Sequence, residues 1–270
     1  MRTNTTLVIN PKGGSGKTTI TTNLASYFAA KGTPTAIMDY DPQGSSLNWL
    51  RSRPGDAPTI HGANAAPAKG LRLRSMDMRV PEDTRQLLID GFAGASGLVL
   101  QEMLSRANCI LIPVAPSPID IHATANFIRD LLLSGSVRAR KLRIAVVANR
   151  VRSSMPVYQP LERFLNSLSL KLLTRVSDSD VYLKAAETGL GIFEMDFAAS
   201  AAERQQFLPI VEWVESEPLF VAKPVASASR PALHSVSSPA WRTASASPCG
   251  SPPARRHSAR PGPPLGGQAR

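Results

Sequence analysis

The residue types that could do chemistry gather on four short strings. The first is Pro11-Lys12-Gly13-Gly14-Ser15-Gly16-Lys17-Thr18-Thr19. Gly13, Gly14 and Gly16 can take backbone angles that turn several N–H groups inward around an anion. Lys17 brings a full positive charge to that anion, and the Thr18 hydroxyl can ligate Mg²⁺. The spacing is that of the phosphate-binding loop G-x-x-x-x-G-K-[ST], with Pro11 where the first glycine usually stands. The second and third strings place carboxylates at the ends of apolar runs. They are Asp39-Tyr40-Asp41-Pro42-Gln43-Gly44 and Leu87-Leu88-Ile89-Asp90. A carboxylate delivered there can reach Mg²⁺ directly or through water. The fourth is Asn149-Arg150, which closes the apolar run Ile144–Ala148. An asparagine amide offers both a donor and an acceptor, so Asn149 can pair with the edge of an adenine.

Such residues need a scaffold that brings strand ends together. Leu7–Ile9 reads as a strand, and Thr19–Ala30 as a helix with Ile20, Leu24, Tyr27 and Phe28 on one face. Lys31-Gly32 ends that helix. Further strands are expected at Thr35–Met38, Leu87–Asp90, Cys109–Val114, Ile144–Ala148 and Leu170–Leu173, and within Leu71–Val80. Helices are expected at Ser45–Leu50, Pro156–Leu168 and Ala198–Val214, the last with Phe207, Ile210, Val211 and Val214 on one face. Pro113, Pro116 and Pro118 stiffen the chain and are expected to exclude helix until Asp120, which would cap Ile121–Leu133. Residues 51–69 give little reading, and His61 within them is expected at the surface. Strands alternating with helices predict an α/β fold: a P-loop NTPase whose mostly parallel, twisted sheet is flanked by helices on both faces.

Composition divides the chain of 270 residues. Residues 219–270 hold seven basic side chains and no acidic ones, and Pro, Ser, Ala and Gly dominate. Such a stretch buries too little apolar surface to offset its ordering entropy and is expected to be disordered. Of the net charge of +11, this tail supplies +7, which leaves +4 for a folded domain over 1–218. A basic tail attracts nucleic acid or anionic lipid without sequence preference, or is simply a solvating extension. Cys109 reads as a core residue and Cys249 lies in the tail, so no disulfide framework or CxxC metal pair is expected. With no signal segment and no apolar run of about 18 residues, a cytoplasmic, soluble protein is expected.

The string KGGSGKTT resembles the deviant Walker A motif of the ParA/MinD family of ATPases. Lys12 then stands for the signature lysine, which in that family reaches across a nucleotide-sandwich dimer. DYDPQG resembles the family's switch I segment, which implies that Asp41 positions the attacking water and Asp39 supports the metal's water shell. In the Asp90 string the family's D-x-P-x-G is replaced by Asp90-Gly91-Phe92-Ala93-Gly94, and either the Gly91 or the Gly94 N–H is left to meet the γ-phosphate. IPVAPSPID, from Ile112 to Asp120, closely resembles the proline-rich segment of ParF-like partition ATPases, implied at a dimer contact. The resemblance spans roughly residues 5–216. It implies ATP and Mg²⁺ as cofactors, with Gly13, Gly14, Ser15, Gly16, Lys17, Thr18, Thr19, Asn149 and Arg150 around the nucleotide. Catalysis falls to Lys12, Lys17 and Asp41, and Mg²⁺ to Thr18, Asp39 and Asp90. Arg150 could stack on the base or contact DNA. Arg175, Lys184 and the cluster Arg138, Arg140, Lys141 and Arg143 are further candidates for DNA. The implied partners are a second copy on ATP binding, higher assemblies, nonspecific DNA and a small centromere-binding adaptor, in a nucleoid-associated plasmid or chromosome partition system. Two rival readings are an accessory ATPase of a DNA-transfer complex and a MinD-like membrane-positioning ATPase. The second needs a C-terminal amphipathic helix, which the prolines of the tail oppose.

Overall fold

Period-two alternation of apolar residues builds a sheet with two greasy faces. The computed structural model describes residues 3–67, 74–152, 159–167 and 170–216. The strands among them are β1 (Asn4–Val8), β2 (Thr35–Asp39), β3 (Ile60–Asn64), β4 (Gln86–Asp90), β5 (Cys109–Val114), β6 (Arg143–Val151) and β7 (Lys171–Ser177). They form one sheet in the order β3-β2-β4-β1-β5-β6-β7, and every pairing is parallel. Leu7, Leu87, Ile89, Ile110, Ile112, Val146 and Ala148 face one layer, and Val8, Leu88, Leu111, Ala145 and Val147 face the other.

Helices cover both faces. On the first lie α4 (Gly97–Arg106), α5 (Pro118–Leu133), α6 (Gly135–Arg140) and α7 (Gln159–Ser167), which bring Met103, Leu104, Ile121, Ile128, Val137 and Leu165 into the core. On the second lie α1 (Lys17–Ala30), α2 (Ser45–Arg51), α8 (Asp180–Glu187) and α9 (Phe197–Glu215), with Ile20, Leu24, Phe28, Trp49, Tyr182, Phe207 and Ile210. A short turn of helix, α3 (Arg74–Asp77), precedes β4. Each fully buried Leu, Ile or Phe contributes roughly 1.5–3 kcal/mol against exposure. β1 lies between β4 and β5, and its C-terminal end feeds the glycine loop. This is the position where open parallel sheets receive ligands.

Several expectations are corrected. Leu71–Val80 supplies helix at 74–77 and no strand among the described residues. The outer strand on that side is β3, in the stretch that gave little reading. Its sequence Ile-His-Gly-Ala-Asn has no apolar run because an edge strand buries little, here Ile60 and Ala63. Gly62 lies close under α2: a Cβ there would lie 2.8 Å from Leu50 Cδ1 and 2.9 Å from Leu47 Cδ2, so both leucine side chains would have to shift. His61 is partly exposed, its Nε2 3.0 Å from Arg79 O. Asp120 does not cap α5. Ser117 holds the N-cap position and Pro118 begins the helix, since the first turn needs no N–H there and the ring presets φ. β6 continues through Asn149, Arg150 and Val151, and β7 through Ser177. The helix expected over Pro156–Leu168 is seen from Gln159 to Ser167, and residues 156–158 and 168 lie outside the described residues, as does the tail 219–270.

Candidate nucleotide site

The loop between β1 and α1 is built from the bottom by Asn10. This fully buried side chain accepts the Lys12 N–H (2.8 Å) and donates to Pro113 O (2.7 Å) and Thr124 Oγ1 (3.0 Å). It therefore ties the start of the loop to β5 and α5. Gly14 (φ 73°) and Gly16 (φ 90°) take left-handed backbone angles that L side chains avoid. Gly16 precedes α1, whose first N–H groups and partial positive charge face the loop. Gly13 and Gly14 are exposed at the tip, whereas Ser15 is buried, with its Oγ donating to Lys12 O at 3.3 Å. Together these residues form an anion cradle.

Lys17 reaches back under the loop. Only 7% of it is exposed, and its Nζ donates to Lys12 O at 2.9 Å. Burial lowers its pKa, opposed by the charges of Asp90 and Asp41. An ammonium in that position has a strong need for anionic company.

The parallel register places two carboxylates side by side, since Asp39 pairs with Asp90 across β2 and β4. Asp90 is 1% exposed. Its Oδ1 is 3.5 Å from Thr21 Oγ1, and its Oδ2 is buried without a hydrogen bond. Burial, then the neighbouring Asp39 charge, pushes its pKa up to about 7, and the nearby Thr18 hydroxyl, Lys17 and Ser46 offset this only in part. A buried carboxylate oxygen with no hydrogen bond keeps its acceptor capacity open. Among the described residues no three His, Cys, Asp or Glu could hold a metal alone. A Mg²⁺ that arrives with a nucleotide needs only one or two protein ligands, because phosphates and waters complete its octahedron. Asp90 Oδ2 and the Thr18 hydroxyl fit that requirement.

Asp39 has other work. Its Oδ2 accepts from Ser46 Oγ (2.7 Å) and the Leu47 N–H (3.2 Å), and its Oδ1 accepts the Asp41 N–H (2.9 Å). These bonds tie Asp39 to the start of α2 and leave further acceptor sites on its Oδ1 beside Asp90. It also adds charge beside Asp90. Asp41 is half-buried, and its Oδ1 accepts the Gln43 N–H at 2.9 Å within the turn that ends at Gly44 (φ 63°).

The fourth string meets the glycine loop itself. Asn149 is 3% exposed, and its Nδ2 donates to Ser15 O at 2.9 Å. A Cβ on Gly16 would lie 1.9 Å from that nitrogen. Asn149 therefore braces the loop from beneath. Arg150 sits at φ 57°, exposed, with its guanidinium on Asp178 beside that of Arg152. Both candidate N–H groups of the Asp90 string donate to backbone carbonyls, Gly91 to Val8 O in the sheet and Gly94 to Pro11 O at the loop. Of the DNA candidates, Arg143 lies over Trp213 and donates to its carbonyl, Arg140 donates to Ala107 O, and Arg175 pairs with Glu162. Lys184 is exposed on α8.

Sequence reasoning passed over Asn10, Ser46 and Thr21. Asn10 carried a signal, as a polar residue ending an apolar strand directly before the glycine loop. Ser46 and Thr21 carried none, since Ser and Thr in a helix usually face water.

Residues 6–192 match the family described as the CobQ/CobB/MinD/ParA nucleotide binding domain. The chain is similar to the maintenance of carboxysome distribution protein A of Halothiobacillus neapolitanus, with 28% identity over 196 residues, 71% of this chain and 87% of that one. Over 62 residues it is 40% identical to the chromosome-partitioning ATPase Soj of Thermus thermophilus, covering 23% of this chain and 24% of that one. Its fold is similar to that of the septum site-determining protein MinD of Pyrococcus horikoshii in complex with Mg-ADP. That similarity has a TM-score of 0.58 at 18% identity and covers 79% of this chain and 96% of that one.

Proposed function

The chain belongs to the CobQ/CobB/MinD/ParA family of nucleotide-binding domains, and from that premise we propose that it is an ATP hydrolase that drives partition of DNA or positioning of a cargo on it. The observation that carries the reading is the pairing of the anion cradle, closed on Lys17, with the buried, unpartnered Asp90 oxygen. A triphosphate with its cation satisfies both at once. The Lys17 ammonium leaves the Lys12 carbonyl for phosphate oxygens, and the turned N–H groups of the loop hold the β-phosphate. Thr18 and Asp90 would hold Mg²⁺, which when bound would supply charge neutralisation at the phosphate oxygens. Asp41 orients the water for in-line attack on the γ-phosphorus. Lys12 is half-buried in the loop, and its role in this reading is to meet the phosphates of a second copy. Dimerisation on ATP would thus complete the site and stabilise charge developing in the transition state.

Partition and positioning are favoured by the relatives, one named for carboxysome distribution and one for chromosome partitioning. DNA then binds without sequence preference through exposed basic groups, and an adaptor stimulates hydrolysis. No described helix is long and apolar enough to cross a membrane. Calorimetry tests the core of the reading. The parent chain should bind Mg-ATP, and Lys17→Ala should show no detectable binding. Unchanged affinity in the variant would remove the phosphate-loop assignment.

A further inference from the structure

We infer that Arg53 and Glu194 are positioning residues for the hydrolytic step, acting through α2; the inference rests on the hydrolase reading above. α2 directly follows the segment that carries Asp41. It has seven residues, and only Ser46 and Trp49 of it are buried. A cleft of about 390 Å³, lined in part by Thr18, Thr19, Asn48, Ser52 and Tyr182, separates it from α1 and α8. α2 rests on β3 through Leu47 and Leu50 and on the core through Trp49, and its two ends are held by hydrogen bonds as well.

The N-terminal end is fixed by Asp39. One carboxylate oxygen takes Ser46 Oγ and the Leu47 N–H, and the other takes the Asp41 N–H. The direction of α2 and the placement of Asp41 thus share one anchor. The C-terminal end is fixed by Arg53. Its Nη1 donates to Glu194 Oε2 and to Gly189 O, both at 3.0 Å. Its Nη2 donates to Glu194 Oε1 (2.6 Å) and Pro58 O (2.8 Å). The guanidinium also lies 4.9 Å from the Trp49 ring centre, and Trp49 Nε1 donates to Leu190 O. Glu194 Oε2 additionally accepts the Gly191 N–H at 2.9 Å. The two side chains are only 7% and 6% exposed.

The segment gripped by Arg53 is itself bolted to α1. The Ile192 N–H donates to Asn23 Oδ1, and Asn23 Nδ2 donates to Thr19 O, both at 2.8 Å. Gly189 (φ 68°) lies so close to α2 that a Cβ on it would sit 2.4 Å from Ser52 O. The result is a closed circuit. It runs from α1, which bears Lys17 and Thr18, through residues 189–194 to Arg53, then along α2 to Asp39 and Asp41. A buried ion pair adds little net stability over a well-packed apolar pair, but its fork geometry holds direction. A displacement of about 1 Å at a reacting group can cost on the order of a hundredfold in rate. Loss of the latch should therefore reach the water-positioning side of the site and spare the phosphate-binding side.

The test compares the full chain with Glu194→Gln and with Arg53→Met/Glu194→Met. The double variant removes both charges together and so leaves no lone buried ion. Expected is a fall in kcat of roughly tenfold or more in both, with KM and the Kd for Mg-ADP changed by less than about twofold. Amide exchange at Asp41 and Leu47 should quicken, and that at Lys12 should not. A folded double variant with parental kcat overturns the inference, as does a loss confined to KM and Kd. A parent chain that binds Mg-ATP yet releases no phosphate overturns the hydrolase reading and the latch with it. That result is distinct from a parent that turns over and a variant that matches it.

Discussion

Asp90 is the residue whose environment says most about the site. Its carboxyl titrates near 4 in an unfolded chain and is pushed up to about 7 in the native one by burial and by Asp39. Between those values the native protein holds a proton that the unfolded chain has lost. Stability without ligands therefore falls as pH rises through that window. Asp90→Asn has no such proton to lose. In urea unfolding without nucleotide or metal, the variant should gain on the parent by about 1 kcal/mol per pH unit between pH 5 and 7. Parallel pH curves for the two proteins would mean that the carboxylate is not an unpaired buried charge. Asp41 should behave otherwise, because it is half-buried and its Oδ1 holds only a turn N–H. Asp41→Ala should still bind Mg-ATP and accumulate as an ATP dimer in light scattering. Its hydrolysis should fall on the order of a hundredfold or more. Hydrolysis at the parental rate would take the water-positioning role from Asp41.

The glycine loop works as an element because its conformation is fixed from outside. Asn10 pins its start to β5 and α5, and Asn149 pins Ser15 from the end of β6. Gly16 is where these constraints meet. Its φ of 90° is strained for any other residue, and a Cβ would displace the Asn149 amide. Gly16→Ala should therefore lose about 1–3 kcal/mol of stability and bind nucleotide at least an order of magnitude more weakly. Calorimetry and urea unfolding on the same sample check both. Retained affinity with lowered stability would show that the loop tolerates a shifted Asn149. α2 follows the same logic: a short helix packed on β3 is also held at its ends, by Asp39 and by Arg53.

At the scale of the whole molecule the proposed function raises the question of where DNA affinity would reside. The tail holds +7 of the +11 net charge, and the domain holds the nucleotide site and the exposed Lys184. Several domain arginines are already engaged by carboxylates or carbonyls, which leaves fewer for phosphate. If the ATP dimer binds DNA, a chain ending at residue 218 should bind more weakly and with a flatter salt dependence, because fewer counterions are released. Its preference for ATP over ADP should survive, because dimer formation brings two basic faces together. The measurement is DNA affinity of both lengths with each nucleotide at two salt concentrations. Binding that ignores nucleotide and vanishes with the tail would overturn the partition-type switch.

The sequence by itself determined the loop, its lysine and threonine, and the strands that end in Asp39 and Asp90. These are local signals: glycine frees the backbone, and apolar runs of four to six residues make buried parallel strands whatever surrounds them. It also determined the apolar faces of α1 and α9, since helical periodicity is written in consecutive residues. Only the tertiary structure decided that β3 exists, because an edge strand with Gly62 under α2 has no apolar pattern to show. It decided that Ser117 and Pro118, rather than Asp120, begin α5, because proline is excluded from a helix interior but fits its first turn. It turned Asp39 to the start of α2 and Asn149 to the underside of the loop, both by contacts with residues far away in sequence or across a turn. The Arg53–Glu194 latch joins residues 141 positions apart. Nothing local marks either as a partner, because the direction of a side chain depends on what the fold brings opposite it.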